Sequence, residues 1–336
     1  MENKKSKINT LLLLSIGSGI LIVVILVILI GKILGFGRSI TKEEIDAQSS
    51  PENAEIQSYD YFIPLMAEEN ETFPANDEKT TVVCLGNSPF SDDKDSETNT
   101  CNLFANNTGV TVYNCSIPGS YMSSLNQPYQ LDTNPMDAFS FYWLTTIFAS
   151  DNKAMVEEAY QAMGDVPKEI KDSVDQLQSI DFNTVDAIFI MYDGSDYLDN
   201  HKVYSSDDFS AIETSGAYDY YIDSMTAGIN LIKEKFPWIR IIVMSHPYAY
   251  GISEDGGYVS SDAKLNSWGV PLSVYFNKQA EITYQLEVSF VDNLFGGIHE
   301  EVASEYLKDN LHLNQDGRML VASRMKEALE SYTKIY

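Results

Sequence analysis

Apolar residues fall along this chain in two arrangements, continuous and periodic. TTVVCLG (80–86), VTVYNCS (110–116), VDAIFIMY (185–192), WIRIIVMS (238–245) and LEVSFVDN (286–293) are short runs rich in β-branched and aromatic residues, and they predict strands. Between them, apolar residues recur at helical spacing over Thr98–Asn107, Met136–Ala149, Asn152–Met163, Lys168–Leu177, Tyr218–Phe236, Leu272–Gln285 and Gln315–Tyr332. Strands that do not alternate apolar with polar residues need cover on both faces. The alternation of strands and helices therefore predicts an α/β fold with a parallel sheet between helical layers. Ligands of such sheets gather beyond the carboxyl ends of the strands, where strand order reverses. Ser88, the NCSIPGS turn and YDGSDY follow the first three predicted strands, so three polar turns are expected on one rim.

One apolar run is of another kind. Residues 8–31 carry no ionisable side chain, and the stretch Leu11–Gly31 would span about 30 Å as a helix, enough for a bilayer core. It is long for a secretory leader and is followed by GKILGFGRSI, which holds no small-x-small cleavage site, so it reads as an uncleaved transmembrane helix. Lys4, Lys5 and Lys7 before it balance Lys32, Arg38 and Lys42 after it, and the count of basic residues does not fix its orientation. The organisation expected is a cytoplasmic tip and anchor over 1–36, an acidic stalk over 37–79 broken by Pro51, Pro64 and Pro74 with one apolar island at YDYFIPLM, and a catalytic domain over 80–336.

Charge narrows the range of partners. The chain of 336 residues holds 22 basic and 49 acidic side chains, a net charge of −27, and the anchor segment removes more Lys than Glu from that balance. Nucleic acid and anionic lipid headgroups are poor partners for so acidic a domain. Cys84, Cys101 and Cys115 lack the spacing of a metal site or a disulfide framework; an odd count leaves at least one free thiol. His201, His246 and His299 are scattered, and His299-Glu300-Glu301 lacks a second His at helical spacing, so no metal is expected. His246 after the fourth strand and Trp268 in LNSWGVP are candidates to line a substrate rim.

The chemistry-bearing residues lie at opposite ends of the sequence. Ser88 ends the first strand in LGNSPF and precedes Pro89, a favoured first residue of a helical turn, so its own N–H stays available to a developing oxyanion. Gly119 in NCSIPGS lets a backbone N–H come close to a ligand. In DNLHLNQDGR, Asp309 stands three residues before His312 on a turn leading into the last helix. A carboxylate so placed can hold one imidazole nitrogen and free the other to take a serine proton.

Together these residues resemble the SGNH or GDSL-type hydrolases over about residues 80–333. LGNSPF is similar to the family's first block, NCSIPGS to the second, YDGSDY to the third and DNLHLN to the last. The resemblance implies a three-layer flavodoxin-like fold and serine esterase chemistry with no cofactor. It places Ser88, His312 and Asp309 in a catalytic triad and Ser88, Gly119 and Ser195 at the oxyanion hole. The chain departs from the family at Asn87, where an Asp is usual, and at Asp193-Gly194-Ser195-Asp196, where the family has Gly-x-Asn-Asp. Ser195 thus offers a hydroxyl on a shorter arm where an amide is usual, which bears on rate more than on reaction class.

The expected activity is that of a single-pass cell-membrane esterase with an extracytoplasmic catalytic domain, cleaving O-acyl esters of a small molecule or a cell-surface polysaccharide. An O-acyltransferase acting on a surface polymer and a weakened, binding-only member of the same fold are the competing readings.

Overall fold

The computed structural model describes residues 58–63, 78–125 and 130–331, and these belong to a compact unit that runs from Gln57 to Tyr336. The predicted anchor and most of the stalk lie outside the described residues. Among the described residues no helix is long and apolar enough to cross a membrane.

In chain order the principal elements begin with β1 (Thr81–Gly86), α1 (Ser88–Ser91), α2 (Thr100–Thr108) and β2 (Thr111–Asn114). α3 (Phe141–Ala149), α4 (Lys153–Met163), α5 (Lys168–Ser179), β3 (Ala187–Met191), α6 (Ser195–Leu198), α7 (Phe209–Thr214), α8 (Tyr221–Lys235) and β4 (Arg240–Met244) follow. A small hairpin, β5 (Gly251–Ile252) with β6 (Tyr258–Val259), precedes α9 (Leu272–Gln285), β7 (Ser289–Val291), α10 (Ala303–Tyr306) and α11 (Gln315–Glu330).

The five long-range strands pair in parallel in the order β2-β1-β3-β4-β7. Every residue of β1, β3, β4 and β7 is buried, which is why these segments read as unbroken apolar runs. β2 is an edge strand, exposed at Thr111 and buried only at Asn114.

The order in which strands are added reverses at β1. Because parallel crossovers are right-handed, the β1–β2 connection puts α2 on one face of the sheet, and the later connections put α3, α5, α8 and α9 on the other. α11 returns to pack on α2, while α8 packs on α3 and α9, giving three layers. The helices are cut by local chemistry. The Asn99 side chain accepts from the N–H groups of Cys101 and Asn102 at the start of α2, and Gly109, at φ +75°, ends it. α5 buries Ile170, Ser173, Val174 and Leu177, one stripe of an otherwise polar helix.

In a sheet of this order the place for a ligand is beyond the carboxyl ends of β1 and β3. Gly86 closes β1 at φ +153°, and a Cβ there would lie 1.8 Å from the Met191 carbonyl oxygen. Only glycine lets the two strand ends come this close, and the residues that follow each strand emerge side by side.

The apolar island of the stalk reaches the sheet. Tyr61 pairs antiparallel with Phe290 through N–H···O bonds of 3.1 and 2.8 Å, and Arg324 Nη2 donates to both carboxylate oxygens of Asp60 at 2.8 and 2.9 Å. Residues 58–63 thereby cover the outer edge of β7. Cys84, Cys101 and Cys115 are all free and buried.

Candidate active site

Ser88 is the first residue of α1, directly after the β1 end, with Pro89 behind it. Asn87 anchors this turn. Its Nδ2 donates to the Ser120 carbonyl and to Asp193 Oδ1, both at 2.9 Å, and its Oδ1 accepts the Asp193 N–H at 2.9 Å. One buried amide side chain therefore ties together the turns after β1, β2 and β3, which is the convergence expected of the first three strands. Asn87 keeps this role without the charge an Asp would carry.

Gly119 sits exposed in the second turn at φ +71°, in the left-handed region. The chain just beyond it is pinned by Asp196, which accepts the N–H groups of Met122 at 3.0 Å and Ser123 at 3.1 Å. His201 Nδ1 donates to the same carboxylate at 3.0 Å. Burial disfavours the charged ring, but the Asp196 bond outweighs it and raises the pKa of His201. This Ser123-Asp196-His201 group lies inside the protein and holds the second turn in place.

Asp309 and His312 meet as the spacing predicts. His312 Nδ1 donates to Asp309 Oδ2 at 2.8 Å, and Asp309 Oδ1 accepts the backbone N–H groups of Leu311 at 2.9 Å and His312 at 2.7 Å. Burial raises the Asp309 carboxyl, but the two backbone donors and the imidazole outweigh it and hold the group below the usual carboxylate range. A Leu307–Leu313 bridge and the Lys308 N–H···O=C bond to His312, 2.8 Å, close the turn, and Asn314 caps α11 by accepting from Gly317 N–H.

The His312 turn and the start of α11 are fastened to the residues that follow α1. Lys308 Nζ stands 2.9 Å from Asp92 Oδ2 and Arg318 Nη2 2.6 Å from Asp93 Oδ2, both carboxylates belonging to the residues just after α1. On the other side, Leu311 Cδ1 is 3.6 Å from where a Cβ on Gly194 would be.

The Ser88 hydroxyl itself donates to Asp193 Oδ2. Asp193 is 3% exposed, and burial raises its pKa against the lowering effect of bonds from Ser195, Ser88 and Asn87. The Ser195 N–H donates to Asp193 Oδ1 at 2.9 Å. In the third turn it is thus the Asp193 carboxyl that faces the nucleophile candidate, with Ser195 beside it. In the sequence Asp193 stands only as a departure from the family's third block, with no role of its own. The signal was its place directly after the Tyr192 that ends the third apolar run.

A cleft of about 540 Å³ opens next to Ser195 and Leu311, lined also by Leu198, Asn200, Lys264 and Asn266. Trp268 stands near it, 54% exposed, its Nε1 donating to the Asn200 carbonyl at 2.8 Å. His246 is fully buried and does not line this cleft; its Nδ1 donates to the Pro247 carbonyl at 3.0 Å. Among the described residues no group of His, Cys, Asp and Glu could hold a metal ion.

The fold is shared with solved structures. One of them aligns with a TM-score of 0.51 and 17% identity over 76% of this chain and 99% of its own. A protein from Lactobacillus plantarum aligns at 0.49 and 16% over 76% and 99%, and a carbohydrate acetylesterase from Sinorhizobium meliloti at 0.44 and 13% over 75% and 99%. Neither a family model nor a curated protein matches the sequence. At these identities the likeness is one of architecture, and the case for activity rests on the site residues.

Proposed function

We propose that the chain is a membrane-anchored serine esterase of the SGNH type, with Ser88 as nucleophile, His312 as general base and Asp309 as its orienting carboxylate. The observation that carries this reading is the tie between the Asp309–His312 turn and the residues after α1. That tie, with the imidazole held by Asp309 and a serine at the switch point of a parallel sheet, supports the reading.

The mechanism follows from these groups. His312 Nε2 takes the Ser88 proton as Oγ attacks the ester carbonyl carbon. The carbonyl oxygen becomes an oxyanion, met by the Ser88 and Gly119 N–H groups, neither of which has an acceptor among the described residues. His312 then returns the proton to the departing alkoxide. Water, activated by the same imidazole, releases the acyl group from Ser88.

The substrate proposed is an O-acylated carbohydrate at the cell surface. Asn200, Lys264 and Asn266 make the lining of the adjoining cleft polar and the exposed Trp268 ring stands beside it, a mixture of polar and aromatic surface that suits a sugar. The predicted anchor would keep the domain beside such polymers, on the outer side of the membrane.

A fluorophosphonate probe applied to the purified chain in detergent, with and without Ser88→Ala, tests the reading. Labelling confined to Ser88, with release of acetate from acetylated oligosaccharide, is the expected result. Absence of labelling at saturating probe over pH 5–9 would overturn it. Product analysis with an added oligosaccharide acceptor distinguishes hydrolysis from acyl transfer.

A further inference from the structure

We propose that Tyr258 and Trp268 select the substrate of this site: two exposed rings on the rim of the cleft stack units of an uncharged polysaccharide and leave an internal acylated sugar at Ser88. The proposal rests on the esterase reading and narrows its substrate from an acylated carbohydrate to a neutral polymer.

Exposed apolar surface is concentrated at this rim. Of eight large apolar side chains that stand exposed among the described residues, four lie between 252 and 268, namely Ile252, Tyr258, Leu265 and Trp268. Ile252 and Leu265 line the cleft, which also reaches Ser195 and Leu311, the neighbour of His312. Apolar surface gathered in one place and left open to water marks a face that a ligand covers.

Both rings are braced. Tyr258 pairs directly with Ile252 in the hairpin of β5 and β6, which puts the two side chains on one face. Its ring stacks on that of Tyr250, with centroids 5.7 Å apart and planes 13° from parallel. Tyr250 is bound in turn to the Asp309–His312 turn, its N–H donating to the Asn310 carbonyl at 2.8 Å and its carbonyl accepting from Asn310 Nδ2 at 3.3 Å. Trp268 is held by a different stretch of the rim. Besides the indole bond to Asn200, its backbone N–H donates to Asn266 Oδ1 at 3.0 Å, and Lys202 Nζ lies 5.6 Å from its ring centroid. Lys264 Nζ donates to the Ile252 carbonyl and so joins the loop that carries Trp268 to the hairpin that carries Tyr258. The rings are 55% and 54% exposed yet fixed before a ligand arrives, so binding costs little further ordering.

A sugar ring offers C–H faces to aromatic surface and hydroxyls to the polar groups around it. The cleft supplies those polar groups in Asn200, Asn266 and Asn310. An acyl chain would need an unbroken apolar wall, which Asp199, Lys264 and the three Asn side chains interrupt. A single sugar stacks on one ring, whereas a cleft of about 540 Å³ with a ring on each of two stretches of its rim takes a chain of about three units. Charge selects further. Asp199 in the lining and Glu254 and Asp255 in the hairpin turn offset Lys202 and Lys264, so the rim attracts no polyanion in a chain whose net charge is −27.

The test is kcat/KM of the full chain, in a detergent without a sugar headgroup, on acetylated oligomers of one to six units. Three series are uncharged, of β-1,4-linked glucose, xylose and mannose, and a fourth is of galacturonate. Wild type is expected to gain about 10²-fold from one unit to six on at least one uncharged series. Tyr258→Ala and Trp268→Ala should each remove about tenfold of that gain and the double variant all of it, while Tyr258→Phe and Trp268→Phe keep most of it. No gain with length on any uncharged series overturns the proposal. So does a gain that survives both Ala substitutions, or one equally large on galacturonate. A rise in kcat/KM on aryl esters from acetate to octanoate that the Ala substitutions abolish would assign the rings to the acyl chain and also overturn it. A wild-type chain that neither turns over aryl acetate nor labels at Ser88 with fluorophosphonate refutes the esterase reading itself.

Discussion

Lys308 Nζ stands 2.9 Å from Asp92 Oδ2, so the turn that carries His312 is fastened to the residues that follow the Ser88 helix. Both side chains are partly exposed, and such a pair stabilises by at most about 1 kcal/mol. Its effect is on register. Lys308→Ala is expected to leave the melting temperature within about 3 °C of wild type while lowering kcat/KM roughly tenfold, since a small displacement of a base from its nucleophile is costly. Steady-state kinetics beside a thermal melt separates the two effects.

Asp309 holds His312 in one tautomer, with Nδ1 as donor. Asp309→Asn should lower kcat by about 10⁴ with KM nearly unchanged, because the imidazole is then presented with the wrong nitrogen toward Ser88. The folded carboxyl is held low, so its contribution to stability is present above the ordinary carboxylate pKa and lost as pH falls through the lower folded value. Acid titrations followed by circular dichroism should show wild type losing more stability below about pH 4 than the variant does.

His246 behaves in a different window. Burial lowers its pKa from 6.5 to about 4, the Pro247 carbonyl opposing only in part. The unfolded chain binds this proton at higher pH than the folded one, so stability falls as pH drops from about 6.5 toward 4. The cost should approach about 3 kcal/mol at pH 4. His246→Gln should flatten that part of the stability curve in urea titrations, whatever its effect at pH 8.

Gly86→Ala places a methyl group against the Met191 carbonyl in a backbone conformation that alanine rarely adopts. A loss of at least about 3 kcal/mol, near 10 °C in melting temperature, is expected. Because β1 and β3 would be pushed apart where Ser88 and Asp193 emerge, activity should fall even at temperatures where the variant stays folded.

Arg324 bonds Asp60 twice and also donates to the carbonyls of Asp292 and Gly296. Arg324→Ala should cost about 2 kcal/mol, and limited proteolysis should then cut within 58–63 well before the domain opens.

Much of this was legible because burial on both faces writes itself into a strand as an unbroken apolar run. AIFIM, RIIVM and TVVCLG could not have been surface strands, and the helix Leu272–Gln285 has the bounds its periodicity gives. The periodicity of 136–149 predicts one helix, but the stretch divides at Ser140 into a 3₁₀ turn, Pro135–Phe139, and α3, because Ser140 takes an extended conformation. The hairpin of β5 and β6 escaped notice because two residues per strand carry no period. The Asp309–His312 contact is local, and three residues of spacing suffice to predict it. The contact of Asp193 with Ser88 is not local. It depends on how closely Gly86 lets β1 approach the end of β3, a distance no motif records.

The pairing of Tyr61 with Phe290 has a mechanical meaning, since it joins residues 58–63 to the outer strand of the sheet. Tension arriving along the preceding chain would load these backbone bonds and the Asp60–Arg324 clasp before it reached the core strands. Such a load would be absorbed at the edge of the sheet farthest from β2, leaving the ends of β1 and β3 undistorted.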